Sequence, residues 1–589
     1  MGGRRWWGTV GAAFALAAPA TASAGIVDAS DSLVSAGPFA RPPFGTTIAG
    51  LGDVNGDGLG DVAMLQEVAN ADGRPGPSVT VVFGSRERAA IDAAAPGGGG
   101  FVVDHATDQF PDSDVGGLRL AQGVGMSVAA AGDVNADGLA DLVVGAASLG
   151  NSFRRRSGSA FVVFGKRNGE PVHLDALGDG GFRVDGPRGG SGLGYLVAGL
   201  GDVNGDGRSD VALSAAKAAY VVFGKPDGGL VDLRNPGESA YAISGPPGEP
   251  DDENVHRVYA AGDANGDGRG DVAVITDEYA GRDPGVWVVF GKPGGAPVDL
   301  RALGAGGYEI PAGEGGNEPN LADGVGDVNG DRRDDLLLTG GTQVVYGRTE
   351  PGRVDLGDAT RVLTITRTGP LRGTDFAGGV GDVTGDGLAD LAFGNSGASG
   401  SCRTGAGAIT FVPGRAGGGT TDAAGGFTLV GDETGAALGQ EVEGAGDVNG
   451  DGRADVVVAI GGRERREVRA ITAVDTGRPA PDRGQCVTIR SLTRSLRQAR
   501  AEGRWRVSIA VKEPRTVQLR GSWRCLRRCP FDNGPDFGGY RDIAFEAAGA
   551  RTISVPLGRL TLRRLRRGTV VGLLLCADAL DCVSLRRGR

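Results

Sequence analysis

Gly262 to Asp271 reads GDANGDGRGD, and close relatives of this phrase recur along the 589-residue chain. They are GDVNGDGLGD from Gly52, GDVNADGLAD from Gly132, GDVNGDGRSD from Gly201, GDVNGDRRDD from Gly326, GDVTGDGLAD from Gly381 and GDVNGDGRAD from Gly446. Taking the first Asp of each as a marker, the steps are 80, 69, 61, 64, 55 and 65 residues. A period of that length is a supersecondary unit, longer than a helical-solenoid repeat, and it sets the architecture before any single motif is interpreted.

The third repeat shows the unit most clearly: GFRVDG, then GSGLGYLVAGLGDVNGDGRSDVALSAAKAAYVVFGK. YLVAGL leads into the acidic loop, DVALSAA leaves it, AAYVVFGK follows a tight turn, and FRVDG has counterparts in YAISG, YEIPAG and FTLVG. Each run is short and rich in Val, Tyr, Phe and small residues, which is strand chemistry. Four short antiparallel strands per repeat, seven times over, predict an all-β fold: a seven-bladed β-propeller. The 110 glycines follow no collagen period and suit many tight turns between short strands.

A second motif travels with the acidic loop. It is VVFG at Val81 to Gly84, VVFGK from Val162, Val221 and Val288, and VVYG from Val344, with divergent versions ITFVPG at Ile409 and ITAVDTG at Ile471. Together with the Gly-Ala-rich stretch before each loop, these motifs resemble FG-GAP repeats, the units of integrin α-subunit propellers, over about residues 45 to 475. The resemblance implies a non-enzymatic module for adhesion or ligand binding at the cell exterior, with an extracellular protein or glycan as partner.

Numbered from its first Asp, each loop carries oxygen side chains at positions 1, 3, 5 and 9. The sets are Asp53, Asn55, Asp57, Asp61; Asp133, Asn135, Asp137, Asp141; Asp202, Asn204, Asp206, Asp210; and Asp263, Asn265, Asp267, Asp271. The remaining three are Asp327, Asn329, Asp331, Asp335; Asp382, Thr384, Asp386, Asp390; and Asp447, Asn449, Asp451, Asp455. Hard oxygen donors of this number and charge suit Ca2+, at up to seven sites. Position 7 (Leu59, Leu139, Arg208, Arg269, Arg333, Leu388, Arg453) varies freely, as expected of a residue that offers only its backbone carbonyl. An EF-hand would need Glu at position 12, where Met64, Val144, Leu213, Val274, Leu338, Phe393 and Val458 stand. Asn, Asp and Gly also form ordinary turns. Three carboxylates kept in all seven copies, however, would repel one another without a cation. The expected role is structural, tying adjacent strands of one blade along one rim. Arg332 at position 6 and Thr384 at position 3 mark the fifth and sixth loops as the weakest.

Other motifs in the same text carry less. Arg269-Gly270-Asp271 spells an adhesion tripeptide, but both flanking residues are needed by the loop. No helix start follows the glycines, which argues against a phosphate cradle. His105, His173 and His256 have no metal-ligand spacing, and no G-x-S-x-G or H-E-x-x-H occurs, so no catalytic residue is assigned. A polysaccharide-binding lectin or polysaccharide-degrading enzyme on the same propeller is the alternative reading, because acidic residues abound and propellers host such sites.

The ends of the chain differ from its middle. MGGRRWWGTVGAAFALAAPATASAG has the layout of a signal peptide, residues 1–24, with cleavage after Ala24, and no later run is long enough for a transmembrane span. The expectation is a secreted or cell-surface protein with the propeller at 25–475, a linker at 476–485 and a basic, β-sandwich-like domain at 486–589. From Arg483 onward there are 23 Arg plus Lys against 8 Asp plus Glu, out of 61 and 72 overall, so the preceding residues hold 38 against 64. This basic tail suits an anionic envelope polymer, an anionic lipid or its own acidic propeller; the lack of aromatic interleaving and the export signal argue against nucleic acid. Six cysteines in an exported chain suggest three disulfides, paired on proximity as Cys525 with Cys529 and Cys576 with Cys582, leaving Cys402 for Cys486.

Overall fold

The computed structural model describes most of residues 48–471, two short strands at 26–28 and 32–36, and chiefly strands between 487 and 586. The expected signal peptide, the linker, His105, His256, Cys402, Cys486 and Cys529 lie outside the described residues. The described residues form two compact units, one comprising the greater part of residues 26–471 and the other lying chiefly within residues 487–586.

The first unit is a propeller of seven five-stranded sheets. The inner strands are Ile48–Gly52, Met126–Gly132, Val197–Gly201, Arg257–Gly262, Ala322–Gly326, Phe376–Gly381 and Val442–Gly446. Each runs into its acidic loop and returns antiparallel as a second strand that begins at the position-9 Asp, as in Asp61–Ala69, Asp210–Ala215 and Asp271–Thr276. A β-bulge breaks the register two residues before the loop in all seven blades, between Gly199 and Gly201 for example, and turns the chain out of the sheet.

Sequence periodicity had indicated four strands per blade; the fifth is a short parallel strand lent by the next repeat. Val172–His173 of the second repeat pairs with Gly100–Asp104 of the first, and Val231–Asp232 of the third with Gly181–Asp185 of the second. A run of two residues is too short to show a period, which is why the sequence did not reveal it. The ring closes with the segment IVDASDSLVSA. Ser32–Ala36 supplies the outer antiparallel strand of the seventh blade beside Glu467–Ile471, and Ile26–Asp28 is the parallel strand of the sixth blade beside Phe427–Val430.

The cores lie between blades, where sheets stack face to face. Leu51, Val81 and Phe101 of the first blade pack with Val128, Leu142 and Phe161 of the second, and equivalent clusters follow around the ring to Ile48 and Met64 against Val457 and Val468. The Gly-Ala-rich inner strands have a steric cause. A Cβ on Gly50 would lie 2.1 Å from the Gly444 carbonyl oxygen, and one on Gly199 would lie 2.2 Å from that of Ala130.

The second unit forms two antiparallel sheets: Val487–Ser491, Arg504–Val511 and Gly549–Pro556 in one, and Arg541–Phe545, Arg515–Cys525, Val570–Ala577 and Asp581–Arg586 in the other. The register of Val570–Ala577 with Asp581–Arg586 sets Cys582 opposite Cys576.

Candidate functional site

Each acidic loop folds around its first carboxylate. In the first loop Asp53 Oδ1 accepts the N–H groups of Gly56 (2.6 Å) and Asp57 (3.0 Å), and Oδ2 accepts that of Gly58 (2.7 Å). Asn55 Oδ1 accepts the Asp57 amide at 2.8 Å and Asp57 Oδ1 that of Leu59 at 2.9 Å. The third loop repeats these bonds about Asp202, Asn204 and Asp206, and the seventh repeats those made by Asp447 and Asp451. The curl needs positive φ at two places. Position 6 is Gly in six loops and Arg332, at φ 68°, in the fifth; position 4 is Gly in six and Ala136, at φ 62°, in the second. The requirement at position 4 escaped the sequence reading because a lone Ala for Gly looks conservative.

Position 9 joins the two recurring motifs. Asp61 Oδ2 accepts the Val54 N–H at 2.8 Å, while Oδ1 accepts the N–H of Gly84, the glycine of VVFG, at 2.7 Å. The same carboxylate-to-glycine bond links Asp141 to Gly165, Asp210 to Gly224, Asp271 to Gly291, Asp335 to Gly347 and Asp390 to Gly414. The acidic loop and the Phe-Gly turn recur together because one buried side chain holds both.

The loops also join blade to blade, beyond the within-blade role expected. The position-8 N–H of every loop donates to the position-1 carbonyl of the preceding one: Ala140 to Asp53, Ser209 to Asp133, Gly270 to Asp202, Asp334 to Asp263, Ala389 to Asp327 and Ala454 to Asp382. Gly60 donates to Asp447 and closes the circle.

An FG-GAP repeat family profile matches residues 124–163, which hold the inner strand, loop, second strand and Phe-Gly strand of the second blade. The chain therefore contains a segment similar to the FG-GAP repeat. It is 34% identical over 110 residues to integrin alpha pat-2 of Caenorhabditis briggsae and 33% identical over 110 residues to integrin alpha pat-2 of Caenorhabditis elegans. In each case the match takes in 17% of this chain and only 8% of the relative.

The electrostatics of the acidic loops are uneven. The position-9 carboxylates are 0 to 1% exposed, whereas Asp57 and its equivalents at position 5 face solvent. Burial pushes Asp61, Asp141, Asp210 and Asp271 up to about 7, Asp335 to about 8 and Asp390 to about 6; amide hydrogen bonds oppose the rise and nearby loop aspartates add to it. Arg208, Arg269 and Arg333 at position 7 each place a guanidinium near their own position-5 carboxylate, 3.7 Å for Arg208 and Asp206 and 3.6 Å for Arg333 and Asp331.

The donors are carboxylate and amide oxygens, the chemistry of a hard cation. Among the described residues no three acidic, His or Cys side chains stand gathered as a metal cluster, because the position-1, 3 and 5 oxygens are turned onto backbone amides. At position 9 of the fourth loop, Asp271 Oδ2 is buried with no hydrogen-bond partner. Asp271 is also the carboxylate of the RGD tripeptide, and at 0% exposure it is closed to an adhesion receptor. His173 lies in the parallel strand lent to the first blade, with Nδ1 2.5 Å from Asp104 Oδ1, and serves as a contact between repeats.

The Lys of VVFGK, which sequence reasoning left without a role, reaches the preceding blade. Lys166 Nζ sits 4.8 Å from the Phe101 ring centroid, Lys225 4.7 Å from Phe182 and Lys292 4.1 Å from Tyr241. Alternation of Lys with the outer-strand aromatics at a fixed offset would have been the signal to read.

Proposed function

We propose that this chain is an exported FG-GAP propeller, stabilised by calcium at its acidic loops, that acts as a binding or adhesion module at the cell exterior. The observation that carries the calcium reading is the sevenfold loop whose closing aspartate is buried beside other carboxylates, an arrangement a divalent cation would relieve. Asp, Asn or Thr at positions 1, 3, 5 and 9 and the carbonyl at position 7 would hold Ca2+, which would supply rim stability and take no part in bond-breaking. Export rests on the basic start, apolar stretch and Ala22-Ser23-Ala24 of the N-terminus. The binding role rests on the FG-GAP repeat and the local likeness to integrin alpha.

Calcium titration of the chelator-stripped protein, with thermal unfolding followed in parallel, tests the first part: a melting point that ignores both calcium and chelator refutes it. A binding screen against extracellular proteins and a glycan array, run with a reducing-end release assay, tests the second. Turnover of any polysaccharide would replace the binding module with the enzyme reading. For the basic tail we propose contact with an anionic envelope polymer, to be judged by whether loss of residues 483–589 abolishes salt-sensitive binding.

A further inference from the structure

The seven loops are not equivalent, and the fourth departs from the rest in two independent ways. In five other loops a position-9 Oδ2 accepts the position-2 amide, at 2.7 to 3.0 Å, from Val54, Val134, Val203, Val328 and Val448; in the sixth it accepts the Thr384 amide at 2.9 Å. Asp271 Oδ2 in the fourth has no such donor although the residue is 0% exposed. The nearby Asn265 amide aids this carboxylate electrostatically without meeting hydrogen-bond geometry. A fully buried carboxylate oxygen left without a donor is costly unless something else takes its lone pairs.

The second departure comes from the next blade. Position 8 is Gly60, Ala140, Ser209, Gly270, Ala389 or Ala454 in six loops, and Asp334 in the fifth. Asp334 Oδ2 accepts the Asp263 N–H at 2.7 Å while the Asp334 N–H donates to the Asp263 carbonyl at 3.1 Å. This reciprocal pair fixes the first residue of the fourth loop from the fifth blade. Space for it exists because Gly262 has no side chain: a Cβ there would lie 2.1 Å from Asp334 Oδ2. The fourth loop thus has Asp263, Asp267 and Asp271 of its own and a fourth carboxylate held against it in trans. Arg269 answers only weakly, 3.9 Å from Asp267.

We propose that the fourth loop is the first of the seven to take up a divalent cation, and that Asp334 of the fifth blade is the positioning residue that raises its affinity. The inference rests on the calcium reading above and goes beyond it by ranking the loops. Affinity of oxygen-donor sites rises with the number of negative charges and with rigidity. Asp334 adds one charge and pins the loop at Asp263, and the unengaged Asp271 oxygen can reach a cation without giving up a hydrogen bond. Filling this loop also fastens the fourth blade to the fifth.

Calcium titration of the stripped full chain by calorimetry, with native mass spectrometry counting ions, tests this. The wild type is expected to show one tight step ahead of weaker ones. Asp334→Asn keeps an oxygen for the Asp263 amide and removes only the charge, so it should weaken the tight step roughly tenfold and leave the later steps in place. Asp271→Asn should abolish that step, and Asp179→Asn, an exposed acid away from the loops, should leave it unchanged. Indistinguishable steps in the wild type, or a tight step that survives both loop variants, would overturn the ranking while leaving calcium binding intact. No uptake by the wild type would remove the calcium reading and this inference together. If Asp271→Asn does not fold, Asp334→Asn decides alone.

Discussion

The amide of Gly60 donates to the carbonyl of Asp447 at 2.8 Å, joining the first acidic loop to the last. The bond completes a circle in which each loop is held by its neighbour, so the loops serve as the seams of the propeller. A change in one loop is therefore felt by two blades, and several consequences can be measured.

Arg332 occupies a left-handed position at φ 68° where the other loops have Gly. Arg332→Gly should raise stability by about 1 kcal/mol, because an L side chain in this region costs about that much and Gly does not. Ala136→Gly at φ 62° should act in the same direction. Thermal unfolding in chelator isolates the backbone effect; an unchanged or lower midpoint for Arg332→Gly would contradict it.

Asp61 and Asp57 should separate when calcium is removed. Asp61→Ala leaves the buried amides of Val54 and Gly84 without acceptors and should destabilise the stripped protein by about 2–4 kcal/mol. Asp57 is exposed, its amide partner can turn to water, and Asp57→Ala in chelator should cost under about 1 kcal/mol. Equal losses in chelator denaturation curves would show the buried bridge to be unimportant.

The lysine ladder makes a modest and additive contribution. Replacing Lys166, Lys225 and Lys292 together by Gln removes cations that lie 4.1 to 4.8 Å from aromatic centroids of the preceding blades. A loss of about 1.5–3 kcal/mol is expected, at about 0.5–1 kcal/mol for each pair. Single, double and triple variants in urea would check both the size and the additivity.

Removal of residues 26–36 should leave Glu467–Ile471 as an open sheet edge and make the protein prone to association. The peptide IVDASDSLVSA, added in trans, should bind the shortened chain and suppress that association. Fluorescence anisotropy of the labelled peptide is the direct readout, and indifference to the peptide would mean that the ring closes without it.

Glu350 provides a pH test on the outer surface. Hydrogen bonds from Arg361, at 3.0 and 3.1 Å, hold its carboxyl down to about 2. The folded pKa is lower than the unfolded one, so the contribution of the pair is present above the ordinary glutamate range and is lost as pH falls toward 2. Carbon NMR titration of the Glu350 carboxyl should show this midpoint, and Arg361→Gln should return it to the ordinary range.

The sequence by itself determined the number of blades, the position of each loop and the strands beside it. Those features are local: Asp and Gly at fixed offsets enforce the curl, and the apolar run after Asp61 or Asp210 can only re-enter a sheet. It also exposed Arg332 as a misfit, because repetition supplies its own comparison. Tertiary structure decided what depends on contacts between distant segments. It turned IVDASDSLVSA into the closing strand, made Asp61 the bridge to Gly84, laid Lys292 over Tyr241 and brought Asp334 to Asp263. None of these has a period or a sequence neighbour to announce it, since each exists only once one sheet has been stacked against the next.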